Sequence, residues 1–200
     1  PAQSAERLPL VTRPRLSFLR IGFSMPHIPA SSALSRFRVL DLTRVRAGPT
    51  CVKQFADFGA DVIKIETPPE AERNDGMTGD RHSFDMQNLH RNKRSMTLNL
   101  KDPRGLEIFM KMVKNADVVA ENYRPDVKYR LGIAQGMGGL MMMTGKPGEG
   151  PMRAGAAVAD MTAGFLASIG VMTALLERQF SGEGQWVQSS LLHAQIALLD

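Results

Sequence analysis

From residue 39 onward, short apolar runs alternate with segments of helical period. Val39-Leu40-Asp41-Leu42-Thr43 reads as a buried strand, and the turn Arg44 to Gly48 follows it. Pro49 suits the first turn of a helix, whose inward face is Val52, Phe55, Ala56 and Phe58 before Gly59 stops it. Asp61 to Glu66 is a second strand, so the first unit is βαβ and predicts a parallel sheet. Thr67 to Arg91 is rich in Pro, Gly, Asp and Asn and reads as a long surface loop. A strand over Ser95 to Leu100 comes next. Asp102-Pro103 then caps a helix to about Asn115, with Leu106, Phe109, Met110 and Val113 on one side, and Asp117 to Glu121 is the next strand. This alternation predicts a doubly wound α/β layer.

The texture becomes Gly- and Met-rich from Ala134, and the methionines are expected to fill core space. A long helix from about Asp160 to Phe180 follows, closed by Gly182 and Gly184, then a strand at Trp186 to Leu191 and a last apolar helix. The apolar stretch Met161 to Leu176 is shorter than the ~20 residues of a bilayer span, which favours a buried core helix and no membrane partner.

Charge changes the picture little once it is divided along the chain. The net +5 resides in residues 1–40, which carry six arginines against one glutamate, whereas the remainder balances 19 basic with 19 acidic side chains. A nucleic-acid partner needs a clustered basic face on the folded body, so none is expected. Cys51 is the only cysteine, and His27, His82, His90 and His193 are scattered, which gives no disulfide framework and no metal site. A reducing, cytoplasmic setting is expected. Residues 1–35 read as a disordered or non-native leader, and a mitochondrial setting is the alternative if this Arg-rich segment is a transit peptide.

Three common motifs fail. The first βα turn reads RVRAGP where a dinucleotide fold has G-x-G-x-x-G; Gly139 to Pro147 lacks P-loop spacing; and no G-x-S-x-G elbow exists.

Four other segments carry a resemblance: RVLDLTRVRAGPTCVKQFADFGADVIKIE, NLHRNKRSMTLNLKDPRG, ADVVAENYRPDVKYRLGI and GAAVADMTAGFLASIGVMTALLERQFSGEGQ. Together, in this order, they resemble the N-terminal part of the family III CoA-transferases of CaiB/BaiF type, over residues 36–200 apart from one break. The resemblance implies a Rossmann-like, doubly wound parallel sheet in a large domain and, in the full-length family, a smaller domain and an interlocked homodimer. It implies transfer of CoA from an acyl-CoA to a carboxylic acid, with CoA as substrate and no permanently bound cofactor.

By the same resemblance Asp160 is the nucleophile, forming an aspartyl anhydride and then an aspartyl-CoA thioester. A carboxylate suits such covalent catalysis. Asp160 is expected at the start of the long helix, where the macrodipole favours its ionised form, free amides can stabilise an oxyanion, and an N-cap role is the structural alternative. CoA contacts are implied for Arg46 and Ala47 in the first βα turn, for Arg94, for Asn99 and Lys101, and for Asn122, Tyr123, Arg124 and Arg130. Arg46 stands where some family members have Gln.

The sequence departs from the family between Ile133 and Ala134, where a helix, a strand and a loop ordinarily intervene, and the family's C-terminal half is absent. A parallel sheet lacking a strand exposes unpaired backbone, so poor stability or inactivity of the chain alone is expected. Two further readings stand beside the transferase: an acyl-CoA racemase of the same fold, and a non-catalytic remnant that keeps the sheet.

Overall fold

The computed structural model describes residues 31–68, 83–122 and 137–199, so most of the leader and the Ile133–Ala134 junction lie outside the described residues. Four parallel strands, β1 (Arg38–Asp41), β2 (Asp61–Glu66), β3 (Arg94–Thr97) and β4 (Val118–Ala120), form one sheet in the order β3-β2-β1-β4. The chain builds outward from β1 to β3 and then crosses back to place β4 on the other side of β1. The order therefore reverses between β1 and β4, which is the switch point where open α/β sheets leave a crevice.

The helices are α1 (Ala47–Asp57), α2 (Phe84–His90), α3 (Pro103–Val113), α4 (Val158–Ser181) and α5 (Leu191–Leu199). Alternation along the strands divides the core in two. Val39 and Val62 face α1, whose Cys51, Val52, Phe55 and Ala56 meet them together with Leu175 of α4. Leu40, Leu42 and Ile65 point to the other face, where Phe109 of α3 covers them. Helices on both faces make this the doubly wound α/β layer that the pattern predicts. Burial pushes the Cys51 thiol up to about 12, so it behaves as a core residue.

A buried ion cluster joins these parts. Asp41, at the end of β1, is 0% exposed and accepts hydrogen bonds from the Thr43 amide at 2.8 Å, the Thr43 hydroxyl at 2.6 Å and Lys93 Nζ at 2.9 Å. Lys64 Nζ of β2 stands 3.8 Å from the same carboxylate and donates to the Thr43 carbonyl. Burial pushes the Asp41 carboxyl up, but Lys93, Lys64 and Thr43 outweigh it and hold it below its ordinary range.

Several expectations require correction. The final third of the expected loop is α2, nucleated by Ser83, whose hydroxyl accepts from the Met86 amide. It was hidden because a short helix with one buried residue, Leu89, has no apolar period. β3 ends at Thr97 because β2 ends at Glu66, after which Leu98 and Leu100 fold under the sheet. In α3 the inward stripe is Gly105, Phe109, Met112 and Val113, with Leu106 and Met110 exposed. A Cβ on Gly105 would lie 2.1 Å from the Asn99 carbonyl, so this close approach fixes which stripe faces the sheet.

Trp186 to Ser190 forms no strand. The segment runs along α4, with Ser189 Oγ donating to the Ala163 carbonyl at 2.9 Å, and Trp186 is 81% exposed. Met142 and Met143 are exposed around a single 3₁₀ turn instead of filling the core. Finally, α4 has the length and hydropathy of a membrane span, yet it buries only one stripe: Ala159, Asp160, Ala163, Gly164, Ser168 and Leu175. Small residues there allow it to lie close on α1.

Two stability changes follow from these buried polar groups. Asp41→Ala leaves Lys93 and Lys64 without their carboxylate and should lower the unfolding free energy in urea by about 3–5 kcal/mol. Gln195 on α5 is fully buried with neither amide atom hydrogen-bonded, so Gln195→Met should raise it by roughly 1 kcal/mol in the same measurement.

Candidate active site

The turn between β1 and α1 is held from two sides. Asn122, just past β4, accepts from the Arg44 amide at 2.8 Å and donates to the Arg44 carbonyl at 2.7 Å, which closes the switch-point crevice around the turn. A Cβ on Gly48 would lie 2.5 Å from Thr43 Cβ, so only glycine fits where the turn doubles back on the strand end. Val45 in between has φ +68°, a left-handed conformation costly for a β-branched residue. Held in this way, the turn presents Arg46 and opens α1 at Ala47.

α4 then approaches α1 closely. A Cβ on Gly164 would lie 2.6 Å from the Ala47 carbonyl oxygen and 2.8 Å from Thr50 Cβ. Asp160 is one helical turn earlier on the same face, so the contact that seats Gly164 also turns Asp160 inward beside the Arg46 turn. Asp160 is 5% exposed, and its Oδ2 has no hydrogen-bond partner.

Asp160 occupies the first turn of α4, three positions after Ala157, so it is not the N-cap. The helix terminus is not the dominant influence on its carboxyl. Burial raises its carboxyl above the ordinary range, and the opposing influences of Arg46, its own backbone N–H and Arg153 do not cancel that. Removal of water outweighs a helix terminus because the dipole contributes fractions of a charge, whereas desolvation acts on a whole one. Arg153, exposed in the segment before α4, escaped the sequence reading; its only signal was a cation seven residues before Asp160.

Asp85 escaped as well, because it lies on the unrecognised α2. Its Oδ2 accepts from an Arg46 guanidinium nitrogen at 2.5 Å. At the other end of α2, Arg91 pairs with Asp57 at 2.5 Å, so α2 is strapped alongside α1 by an ion pair at each end.

The remaining predicted contacts separate spatially. Asn99 and Lys101 line a shallow cleft of about 230 Å³ with Arg44, Glu66 and Thr67, beyond the carboxyl ends of β2 and β3. Arg94 begins β3 at the opposite end of the strand, where its guanidinium spans both oxygens of Asp61 at 2.8 Å each. Asn122 is committed to the Arg44 backbone, and Tyr123, Arg124 and Arg130 lie outside the described residues. Among the described residues no cluster of three or more His, Cys, Asp or Glu could hold a metal.

Known proteins share this organisation. The family model described as CoA-transferase family III matches residues 34–135 and 132–200, two pieces that meet at 132–135. The chain is 35% identical over 212 residues to the succinate–glutarate CoA-transferase of Agrobacterium fabrum, covering 83% of this chain and 52% of that protein. It is 33% identical over 198 residues to the formyl-CoA:oxalate CoA-transferase of Bradyrhizobium diazoefficiens, with 80% and 47% covered. A crystal structure of a CaiB/BaiF family protein from Brucella suis superposes with a TM-score of 0.68 at 27% identity, over 86% of this chain and 55% of that one. The chain thus spans about half the length of the curated relatives it matches.

A raised carboxyl sets a sign for stability against pH. The protonated form of Asp160 is favoured in the folded state, so its contribution is present below the unfolded value and is lost as pH rises through the folded one. Asp160→Asn should therefore raise the urea midpoint at pH 7, and the gain should vanish on acidification below 3.8, where both side chains are neutral.

Proposed function

Because this chain belongs to CoA-transferase family III, we propose that it moves CoA from an acyl-CoA thioester to a carboxylic acid through Asp160. The observation that carries the reading is a buried carboxylate with one unpaired oxygen, between two cations, at the first turn of a helix. A free lone pair is what a nucleophile needs, and a carboxyl with a raised pKa is a more basic attacking group.

The reaction runs in four balanced steps. A carboxylate oxygen of Asp160 attacks the thioester carbonyl, the C–S bond breaks, and a mixed anhydride and CoA thiolate result. The thiolate attacks the aspartyl carbonyl, expels the donor's carboxylate and leaves an aspartyl-CoA thioester. The acceptor carboxylate attacks that thioester, giving a second anhydride and thiolate. Thiolate attack on the acceptor's acyl carbon then forms the new acyl-CoA and regenerates Asp160. Each attack passes through a tetrahedral oxyanion that Arg46, Arg153 and the first-turn amides of α4 stabilise.

Lys101 and Asn99, in the cleft beyond the strand ends, offer a cation and an amide for the phosphates and adenine of CoA. The relatives named for succinate, glutarate, formyl-CoA and oxalate support small mono- and dicarboxylates as donors and acceptors. The same reading includes a homodimer, which the exposed apolar side of α4, with Phe165, Leu166, Ile169 and Leu176, supports.

Incubation with an acyl-CoA and hydroxylamine, followed by mass spectrometry, tests the chemistry. Hydroxamate at Asp160, reduced to background in Asp160→Ala, is the expected result. Exchange of the α-proton for deuterium without modification would point to racemisation instead, and neither signal would point to a non-catalytic chain.

A further inference from the structure

Arg46 is the foremost cation acting on Asp160, yet Asp160 Oδ2 is left without a hydrogen bond. That combination needs a cause, because a guanidinium beside a buried carboxylate ordinarily closes on it as a charge-assisted pair at about 2.7–2.9 Å. A nucleophile closed in this way would have its lone pairs occupied.

The restraint is visible on α2. Asp85 Oδ2 takes an Arg46 guanidinium nitrogen at 2.5 Å, and Asp85 itself is fixed in the first turn of α2 by the Ser83 cap. α2 is tied at its other end as well, where Arg91 pairs with Asp57 at the far end of α1. Arg46 is thus pulled toward α2 from one side, while Ala47, the next residue, is pinned against α4 at Gly164.

We propose that Asp85 is a positioning residue for the transfer reaction, acting through Arg46. It holds the guanidinium off the nucleophile, so that Oδ2 of Asp160 stays free to attack while the positive charge remains close enough to act on the oxyanion. The proposal rests on the reading of Asp160 as nucleophile. Both partners of the Arg46–Asp85 pair are about half exposed, and exposed pairs add little to stability, so loss of Asp85 falls on the site and leaves the fold. The same weakness sets the scale: such a pair biases held against released Arg46 by about two- to fivefold.

The test has two readouts. The charged groups that bear on Asp160 are Arg46 from the β1–α1 turn and Arg153 from the segment before α4. With ¹³C-labelled aspartate and Asp160→Asn to assign the signal, the Asp160 carboxyl is titrated by NMR. Asp85→Asn should move that titration to lower pH as released Arg46 closes on the carboxylate, and Asp85→Glu should restore it. In an Arg46→Gln background Asp85→Asn should have no effect. An unchanged titration in Asp85→Asn, or an equal shift with Arg46 absent, overturns the proposal, the latter because Asp85 would then act by its own field.

The second readout is the rate of acyl-CoA labelling at Asp160, which should fall about two- to fivefold in Asp85→Asn and recover in Asp85→Glu. An unchanged rate in Asp85→Asn overturns the positioning role. Absence of labelling in the unsubstituted protein would instead sink the nucleophile reading, and the titration would still decide whether Asp85 acts through Arg46.

Discussion

A carboxylate with no contact to water holds this structure in register. Asp41 ends β1, and its two oxygens gather the Thr43 hydroxyl and amide, Lys93 from the loop between α2 and β3 and, at longer range, Lys64 from β2. Lys93 is itself 1% exposed and also reaches the Pro49 carbonyl in α1 at 3.4 Å. One buried charge thereby ties two strands, the loop before the third and the first helix to a single point. A charge is expensive there unless it is paired, so the chain has little freedom to place these elements differently. Thr43, fixed by Asp41, in turn sets where the β1–α1 turn begins, and that turn carries Arg46. His90 completes the surroundings at 3.4 Å from Lys93, and burial beside that ammonium pushes its imidazole down to about 4.

Asp160 sits at the end of this chain of constraints and differs from Asp41 in its hydrogen bonding and in the direction of its shift. Asp41 is surrounded by donors and held ionised, whereas Asp160 has a free oxygen and a raised pKa. Both are buried, so burial alone does not decide the direction in which an aspartate is shifted. What separates them is the number of donors within reach. The small residues Ala163 and Gly164 seat α4 on α1, exclude water from Asp160 and supply no donor in exchange. Of the two cations that act on it, Arg46 is paired with Asp85.

This contrast explains how much of the molecule was legible in its sequence. The first two strands, the Asp102-Pro103 cap, the Gly59 and Gly182 stops and the long α4 are local signals, and each stands where the pattern put it. The resemblance to a family is what drew attention to Asp160. The failures are tertiary. α2 has one buried side chain and declares itself only through its Ser83 cap. Trp186 to Ser190 has strand composition but packs along α4 instead. Arg94 was singled out while its neighbour Lys93 is the residue that reaches the buried carboxylate, because alternation on β3 and the turn before it, not residue type, decide which cation points inward.

The direction of the Asp160 shift shows where the helix-terminus argument, sound in isolation, is outweighed. It fails here because Asp160 lies inside the first turn and not ahead of it, on the stripe that α4 buries. A side chain ahead of the helix meets its free amides with water still present. One position on the buried stripe loses the water first, and the amides and distant cations recover only part of that loss. In the transfer reaction proposed for Asp160, incomplete recovery is an advantage. Full stabilisation of the anion would make it a better leaving group and a poorer nucleophile in equal measure, whereas a partly destabilised anion surrounded by fixed positive charge favours the oxyanions between the two states.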